Sequence, residues 1–462
     1  MDHPALTKGV FMSELYQWGK AKEINSPVDL VSELDYLRLW TEIGVEGNRL
    51  DDLGRQGLGE EFLEDLHHLF EYDGEFHDED EHSPYLVVLP ASSREPINFD
   101  AQGNLRSGNI YQAHTRSRSP FLITRRDGRL VLKKNGVFLT EVAYFPRPAF
   151  LDQPISDGTP AGQLVAPIGS YWLMSAPLKY CFYSQNGEQC RFCNIADAGV
   201  AYSATLNRKK TEQIAEAFSV AWQEGHYRGL SLCGGSLPGP KEQDQYLDIT
   251  RAIKAIRSDW DGWTDGSVPV DYIGGAPKPH ELYKIDEIKE AGVRFLQLNL
   301  EIGDPKWFEA VCPGKALNVG YDNWVAALAY GARVFGGNGR VRTHLVAGIE
   351  PADSLVGAFD RLGAQGVLAF ANPWRPTPGS FMEGHRPPYP QWYFNLYARI
   401  AESYLNSGFD FWRFVDDQSP RFFDISLPLN FWRVRLGISS TEFWQRAAGK
   451  GATPGSGEQV AP

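Results

Sequence analysis

Three thiols fall within thirteen residues, Cys181-Phe-Tyr-Ser-Gln-Asn-Gly-Glu-Gln-Cys190-Arg-Phe-Cys193, in a chain of 462 residues that holds only five cysteines. Thiols gathered this closely in a cysteine-poor chain read as metal ligands rather than as parts of a disulfide framework. The spacing is C-x8-C-x2-C, and Cys233 and Cys312 lie far off along the sequence. Three sulfurs can hold three irons of a 4Fe-4S cluster and leave the fourth iron open to another ligand. The alternative is a structural zinc site, with Cys190 and Cys193 as a C-x2-C pair, Cys181 third, and Cys233 or a histidine fourth. Zinc ribbons and knuckles normally repeat the pair, and here it is not repeated.

Sulfurs on one loop need a rigid frame behind them. From about residue 165 the sequence alternates short apolar runs with helical patterns. The expected strands are Tyr171–Ala176, Gly229–Cys233, Val270–Gly274, Val293–Leu300, Arg340–Ala347 and Val367–Ala371. Between them, Lys209–Trp222 shows the helical half, with Ile214, Ala217, Phe218, Ala221 and Trp222 on one stripe and Thr211 as N-cap. Repeated βα units imply an α/β fold with a parallel sheet and outer helices, and six such strands can curve into a partial (β/α)6, TIM-like barrel. The cysteine loop follows the first strand, so it lies at the C-terminal face, where such barrels build their sites.

The loop resembles that of the radical S-adenosylmethionine superfamily, whose members carry three cysteines after the first strand and an aromatic residue before the last, here Phe192. The first interval of eight residues is longer than the usual three. Gly234-Gly235-Ser236 resembles the family's Gly-Gly-Glu motif, with Ser236 in place of the acid. Val346-Ala-Gly348-Ile349-Glu350 resembles the stretch packed against adenine, and Asn299 and Glu301 resemble polar residues that meet the ribose or methionine part. The resemblance covers roughly Gly169 to Pro378. It implies that Cys181, Cys190 and Cys193 ligate a 4Fe-4S cluster and that S-adenosylmethionine chelates the fourth iron. One electron then breaks a carbon–sulfur bond, usually giving a 5'-deoxyadenosyl radical, with a 3-amino-3-carboxypropyl radical as the rarer product. An external reductant such as flavodoxin or ferredoxin is implied as partner.

Strand alternation gives a separate argument. Gln297, Asn299 and Glu301 share one face of their strand, and Arg340, Arg342 and His344 share one face of the next. Barrel lumens are normally filled by branched apolar side chains, so two polar rows predict a cavity for a polar, partly anionic ligand, with Arg342 among the cofactor contacts. His344 is the candidate for proton transfer, and Arg375, in Asn372-Pro-Trp-Arg375-Pro, the candidate for a substrate carboxylate or phosphate. Cys233 and Cys312 are expected to be inert thiols. There is neither a second cysteine cluster nor an evident cobalamin-binding module, and the expected substrate is a small polar molecule.

Composition sets the wider limits. The chain carries 45 basic and 58 acidic residues, a formal net charge of −13, so no general attraction to nucleic acid or anionic membrane is expected. No apolar run is long enough to span a bilayer, the N-terminus does not read as a signal peptide, and the expected location is cytoplasmic. The predicted organisation is an N-terminal α+β extension over 1–165, the partial barrel over 166–385, a helical, aromatic-rich extension over 386–446 and a disordered tail over 447–462. The acidic stretch Glu71–His82, with His67, His68, His77 and His82 in or near it, reads as a solvated loop.

Overall fold

The computed structural model describes residues 23–56, 85–100, 105–113, 118–168, 172–178, 180–195, 208–225, 227–237, 239–256, 267–376, 379–417 and 426–449. The histidine-bearing acidic stretch and residues 450–462 lie outside the described residues. The N-terminal part opens with helix α1 (Glu33–Glu46), capped by Ser32, whose side chain accepts the Asp35 N–H. Strand β1 (Arg49–Leu50) and the short helix α2 (Asp52–Arg55) follow. Then come β2 (Tyr85–Leu89), β3 (Asn98–Phe99), β4 (Leu105–Ser107), β5 (Asn109–Ala113), β6 (Phe121–Arg126), β7 (Arg129–Lys134), β8 (Val137–Glu141) and β9 (Ala143–Tyr144). They form three small sheets, ordered β1-β6-β7-β8, β5-β2-β9 and β3-β4. Turns at Asp127-Gly128 and Asn135-Gly136 join β6 to β7 and β7 to β8; Asp127 and Asn135 take positive φ, as such turns require.

The second part is the α/β sheet. Its elements run β10 (Ala166–Pro167), β11 (Trp172–Ser175), α3 (Thr211–Trp222), β12 (Gly229–Leu232), α4 (Lys241–Ile256), β13 (Val268–Gly274), α5 (Tyr283–Glu290) and β14 (Val293–Leu298). They continue through α6 (Pro305–Val311), α7 (Pro313–Asn318), α8 (Tyr321–Phe335), β15 (Val341–Ala347), α9 (Ala352–Gly363) and β16 (Leu368–Pro373). Strands β10 to β16 lie side by side in sequence order and curl into a half-barrel. The pairs from β11 to β16 are parallel, at the six positions expected, whereas β10 adds an antiparallel edge that the sequence did not suggest. The apolar stripe of α3 is buried on Ile214, Ala217, Phe218 and Ala221; Thr211 is its first helical residue rather than its N-cap, and the Gln213 side chain accepts the Lys210 N–H at 3.1 Å.

The lumen is closed at its lower end. Trp172, Ser231, Asp271, Phe295 and Arg342 come together there from five successive strands. The indole donates to Ser231 Oγ at 2.9 Å, and Ser231 donates to Asp271 Oδ2 at 3.1 Å. Arg342 Nη1 stands 3.6 Å from the same Asp271 oxygen, both side chains fully buried, and its guanidinium lies 4.1 Å from the centroid of Phe295. Gly229 makes room for Trp172, because a Cβ there would sit 2.3 Å from the indole.

Helices α10 (Pro390–Asn406), α11 (Phe411–Asp417), α12 (Leu427–Arg435) and α13 (Ser440–Gly449) complete the described chain. The aromatic residues form a packed group: Trp432 meets Tyr404, Phe411 and Phe414, and Phe431 meets Phe394 and Tyr397. They pack onto the outer face of the sheet, where the Tyr393 and Tyr404 hydroxyls donate to the Ala347 and Ala369 carbonyls. The C-terminal helices also grip the N-terminal part. Arg433 pairs with Glu33 at 2.6 Å, Trp444 Nε1 donates to the Gly108 carbonyl at 3.1 Å, and Ser440 Oγ donates to the same carbonyl at 3.0 Å. Helix α13 runs to Gly449, past the expected start of the tail at Ala447, since Arg446, Ala447 and Ala448 are good helix formers. Among the described residues no helix is long and apolar enough to cross a membrane.

Candidate metal centre

The cysteine loop leaves β11, and its path is set by backbone contacts on two sides. On one side stands the turn after β12. The Phe182 N–H donates to the Ser236 carbonyl at 2.7 Å, the Gly235 N–H to the Leu178 carbonyl at 3.3 Å, and the Ser236 N–H points to the Cys181 sulfur. Glycine is required here by space: a Cβ on Gly235 would stand 2.1 Å from the Tyr180 carbonyl oxygen, and one on Gly234 would stand 2.6 Å from that of Leu178. Gly235→Ala is therefore expected to push the loop aside at a cost of about 1–3 kcal/mol. Iron bound per chain after anaerobic reconstitution should fall by about half or more; undiminished iron would show that the close approach is not needed.

On the other side, the junction between α6 and α7 docks against the loop. The Arg191 N–H donates to the Val311 carbonyl at 2.8 Å and the Gly314 N–H to the Glu188 carbonyl at 2.9 Å. The Cys181, Cys190 and Cys193 sulfurs are half-buried between these walls, near enough to feel one another's charge. Burial pushes the Cys181 thiol up, partly offset by the Ser236 N–H, and burial pushes Cys193 up to about 12. Cys190 differs: a hydrogen bond from the Cys312 thiol holds it below the ordinary thiol value despite burial, with Lys315 adding to the effect. Phe192 packs its ring against the core beside the last cysteine.

Above the sulfurs sits a buried charged group. Strand β14 ends at Leu298, short of the expected Leu300, yet pairing resumes at Glu301, which bridges to Leu345 of β15. Between them the chain twists so that Glu301 takes φ +69°, a conformation costly for a residue with a side chain. Lys315 Nζ reaches Glu301 Oε1 at 2.9 Å and the Asn299 carbonyl at 2.7 Å, over the ring of Trp324. His344 Nδ1 lies 3.4 Å from Glu301 Oε2. Asn299 Oδ1 accepts from Gln297 Nε2 at 2.8 Å and from the His344 N–H at 3.3 Å. Burial alone would raise the Glu301 carboxyl, but Lys315 and His344 overcome it and hold the group at about 2.

The sign of the pH dependence follows. With its folded value near 2 and its ordinary value at 4.5, Glu301 contributes stability above pH about 4.5, lost as pH falls from there towards 2. At about 1.4 kcal/mol per unit this is on the order of 3 kcal/mol. The gap in unfolding free energy between the parent and Glu301→Gln should narrow from pH 6 to pH 3; a gap that stays constant would contradict the assignment.

The remaining expected site residues divide. Gly348 takes φ +108° at the end of β15, and a Cβ there would meet the Tyr393 hydroxyl at 2.2 Å; Val346 is buried beside it. Ser236 presents its hydroxyl to Glu242 on α4, whose carboxylate also accepts the Gly275 N–H at 2.8 Å and the Leu237 N–H at 3.3 Å. Burial lifts the Glu242 carboxyl to about 7, against these hydrogen bonds. Two arginines stand elsewhere. Arg342 faces the lumen as expected, but at its floor, with Asp271, Phe295 and the Gly339 carbonyl as partners. Arg375 donates through Nε to the Gly44 carbonyl at 3.0 Å, tying β16's exit loop to α1. Sequence reading did not single out Asp271, Glu242 or Lys315; Asp271, an acidic residue inside an apolar strand, was the one visible signal.

In chemical terms the site offers three thiols on one loop, a glycine turn that nothing larger fits, and a polar row leading away from them. Those donors suit a cluster held by three sulfurs. Among the described residues no three His, Cys, Asp or Glu side chains converge as around a single metal ion. The lumen above the floor holds two polar atoms with no hydrogen-bond partner among the described residues, His344 Nε2 and Gln297 Oε1.

Comparison with known proteins finds no family model that matches. A curated relative, bacteriochlorophyllide c C-7(1)-hydroxylase of Chlorobaculum limnaeum, is 24% identical over 239 residues, with 49% of this chain and 58% of that one covered. The chain thus spans less than two thirds of that relative's length. Similar solved structures include methylornithine synthase (PylB), at TM-score 0.39 and 15% identity over 51% of this chain and 62% of that one. Another is HydG, a maturase of the [FeFe]-hydrogenase, at TM-score 0.38 and 17% identity over 51% of this chain and 50% of that one.

Proposed function

We propose that this chain, a member of the radical S-adenosylmethionine superfamily and an enzyme of that class, reductively cleaves S-adenosylmethionine at a 4Fe-4S cluster to start radical chemistry on a small polar substrate. One observation carries the reading. Cys181, Cys190 and Cys193 stand together on the loop after β11, against the Gly234-Gly235-Ser236 turn, at the C-terminal ends of parallel strands. When bound, the cluster and S-adenosylmethionine supply one-electron cleavage of a carbon–sulfur bond, chemistry beyond any side chain.

The chain's own part is to bind, orient and enclose. In this reading the three cysteines hold iron, and the backbone of Gly234, Gly235 and Ser236 meets the amine of S-adenosylmethionine. Asn299 and Glu301 meet its ribose or methionine part, and Val346 and Gly348 line the adenine. Glu301 holds Nδ1 of His344, which leaves Nε2 for a ligand or a proton in the lumen. Arg342 closes the floor through Asp271, and Arg375 braces the loop after β16 through the Gly44 carbonyl. Reduction requires an external one-electron donor such as flavodoxin or ferredoxin, and a cluster with one open iron suits the reducing cytoplasm.

Anaerobic reconstitution with iron and sulfide is expected to give about four irons per chain and absorbance near roughly 400 nm. Zinc as the only bound metal would overturn the reading. Mass spectrometry of the molecule that co-purifies anaerobically tests the substrate. A tetrapyrrole would move that assignment from a small polar compound towards the kind of substrate named for the hydroxylase.

A further inference from the structure

Three residues of the two polar lumen strands form a run of hydrogen bonds whose direction is fixed from one end. It starts at the His344 N–H, a backbone donor that cannot be reversed, which donates to Asn299 Oδ1 at 3.3 Å. That contact sets the Asn299 amide with its oxygen towards β15. The Gln297 amide must then turn its nitrogen to the same oxygen, at 2.8 Å, and its own oxygen away. Gln297 is only 3% exposed, and its Oε1 has no hydrogen-bond partner among the described residues. The imidazole is oriented in the same manner. Glu301 Oε1 accepts from the Lys315 ammonium at 2.9 Å, so the carboxylate is ionised and Oε2 can only accept; His344 Nδ1, 3.4 Å from Oε2, is the ring's donor. In the neutral ring Nε2 then carries a lone pair and no hydrogen, and it too has no partner among the described residues. The Phe370 ring, 5.2 Å from the imidazole between centroids, holds it from the β16 side.

We propose that Gln297 Oε1 and His344 Nε2 are a paired acceptor site for the substrate, which enters the lumen with a neutral, donor-bearing end, hydroxyl or N–H, rather than with a carboxylate or phosphate. Buried acceptors left without donors are costly, so a ligand that supplies two donors is favoured and an anion set against two lone pairs is rejected. The partly anionic ligand expected from the polar rows also loses its counterpart, because Arg342 on the floor is already paired with Asp271. Depth assigns the site to the substrate. Gln297 is the register partner of Arg342 and lies two residues, about 6–7 Å, closer to the floor than Asn299, which the reading above gives to S-adenosylmethionine. The inference rests on that reading for the substrate's place, and on the hydrogen bonds alone for the character of the site.

The test uses the full chain, reconstituted anaerobically and saturated with S-adenosylmethionine, and two flat probes of one size, pyrrole-2-carboxamide and pyrrole-2-carboxylate. Ligand-observed nuclear magnetic resonance titrations give their affinities. The parent should bind the carboxamide at least about tenfold more tightly than the carboxylate. Gln297→Met fills the same space without a hydrogen-bonding amide, and His344→Asn keeps a donor for Glu301 and removes Nε2. Each should weaken the carboxamide about fivefold to tenfold and so narrow the preference. A carboxylate bound as tightly as the carboxamide, a parent that binds neither probe, or parent-like carboxamide affinity in both variants would overturn the proposal. Equilibrium dialysis of S-adenosylmethionine against the same variants separates substrate from ribose as the source of the donors. Its affinity should stay within about threefold of the parent's; a loss as large as that of the carboxamide would give the acceptors to the ribose and overturn the proposal. Should one variant fail to fold by circular dichroism, the other variant and the parent's preference still decide. A parent that takes up no cluster would sink the cluster reading alone, because the acceptors are set by β14 and β15 and the two probes can be compared on the metal-free chain.

Discussion

Cys190→Ala protein, prepared anaerobically with iron and sulfide, is expected to hold no stable 4Fe-4S cluster and to release no 5'-deoxyadenosine above a protein-free blank. Cys190 lies centrally in the site. It is the middle of the three thiols, the partner of Cys312, and the one whose thiolate is favoured by its surroundings despite burial. Cys181 and Cys193 both carry electrostatic contacts to it. Removing it leaves the sulfurs of Cys181 and Cys193, two donors where the cluster needs three, while the backbone of Cys312 is fixed in its own junction. Loss should exceed about a hundredfold in deoxyadenosine formed per chain, comparable to losing any group that holds a catalytic metal. Parent-like absorbance and turnover in Cys190→Ala would show that the sulfur is no ligand.

Asp271→Leu is expected to destabilise the fold by about 3–5 kcal/mol, because it strands the guanidinium of Arg342 in a fully buried site. The pair has side chains fully removed from solvent, and the Ser231 hydroxyl, which accepts from the Trp172 indole, donates to Asp271 Oδ2. Asp271→Leu combined with Arg342→Met should recover most of the loss, since a buried ion pair replaced whole by apolar groups is often neutral. Denaturant unfolding of the three variants and the parent measures the coupling. If Asp271→Leu alone is as stable as the parent, or the double variant is no better than the single, the floor is not held by this pair.

Much of the frame was legible in the sequence. The six parallel strands stand out because strands covered on both faces read as short apolar runs between amphipathic helices. The cysteine loop was legible for the same reason, being the segment after the first such run. Strand β10 was not, since Ala166-Pro167 is too short to show any period. Alternation correctly placed Gln297 and Arg342 on one face, as their register across β14 and β15 shows. It could not separate a ligand-binding row from a satisfied ion pair. That distinction depends on Asp271, which arrives from β13 and is set beside Phe295 only by strand register. Lys315, Glu242 and Cys312 reach the site from helices and junctions distant in sequence, and nothing local marks them. The grip of α12 and α13 on the N-terminal sheets is of the same kind, made by Arg433 and Glu33 across four hundred residues of chain.

The central claim is best tested by incubating the reconstituted, reduced protein with S-adenosylmethionine and quantifying its fragments by mass spectrometry. The account predicts 5'-deoxyadenosine that depends on reductant and on Cys181, Cys190 and Cys193 together. Intact S-adenosylmethionine, recovered from a chain shown to carry its full cluster and a reduced signal, would contradict it.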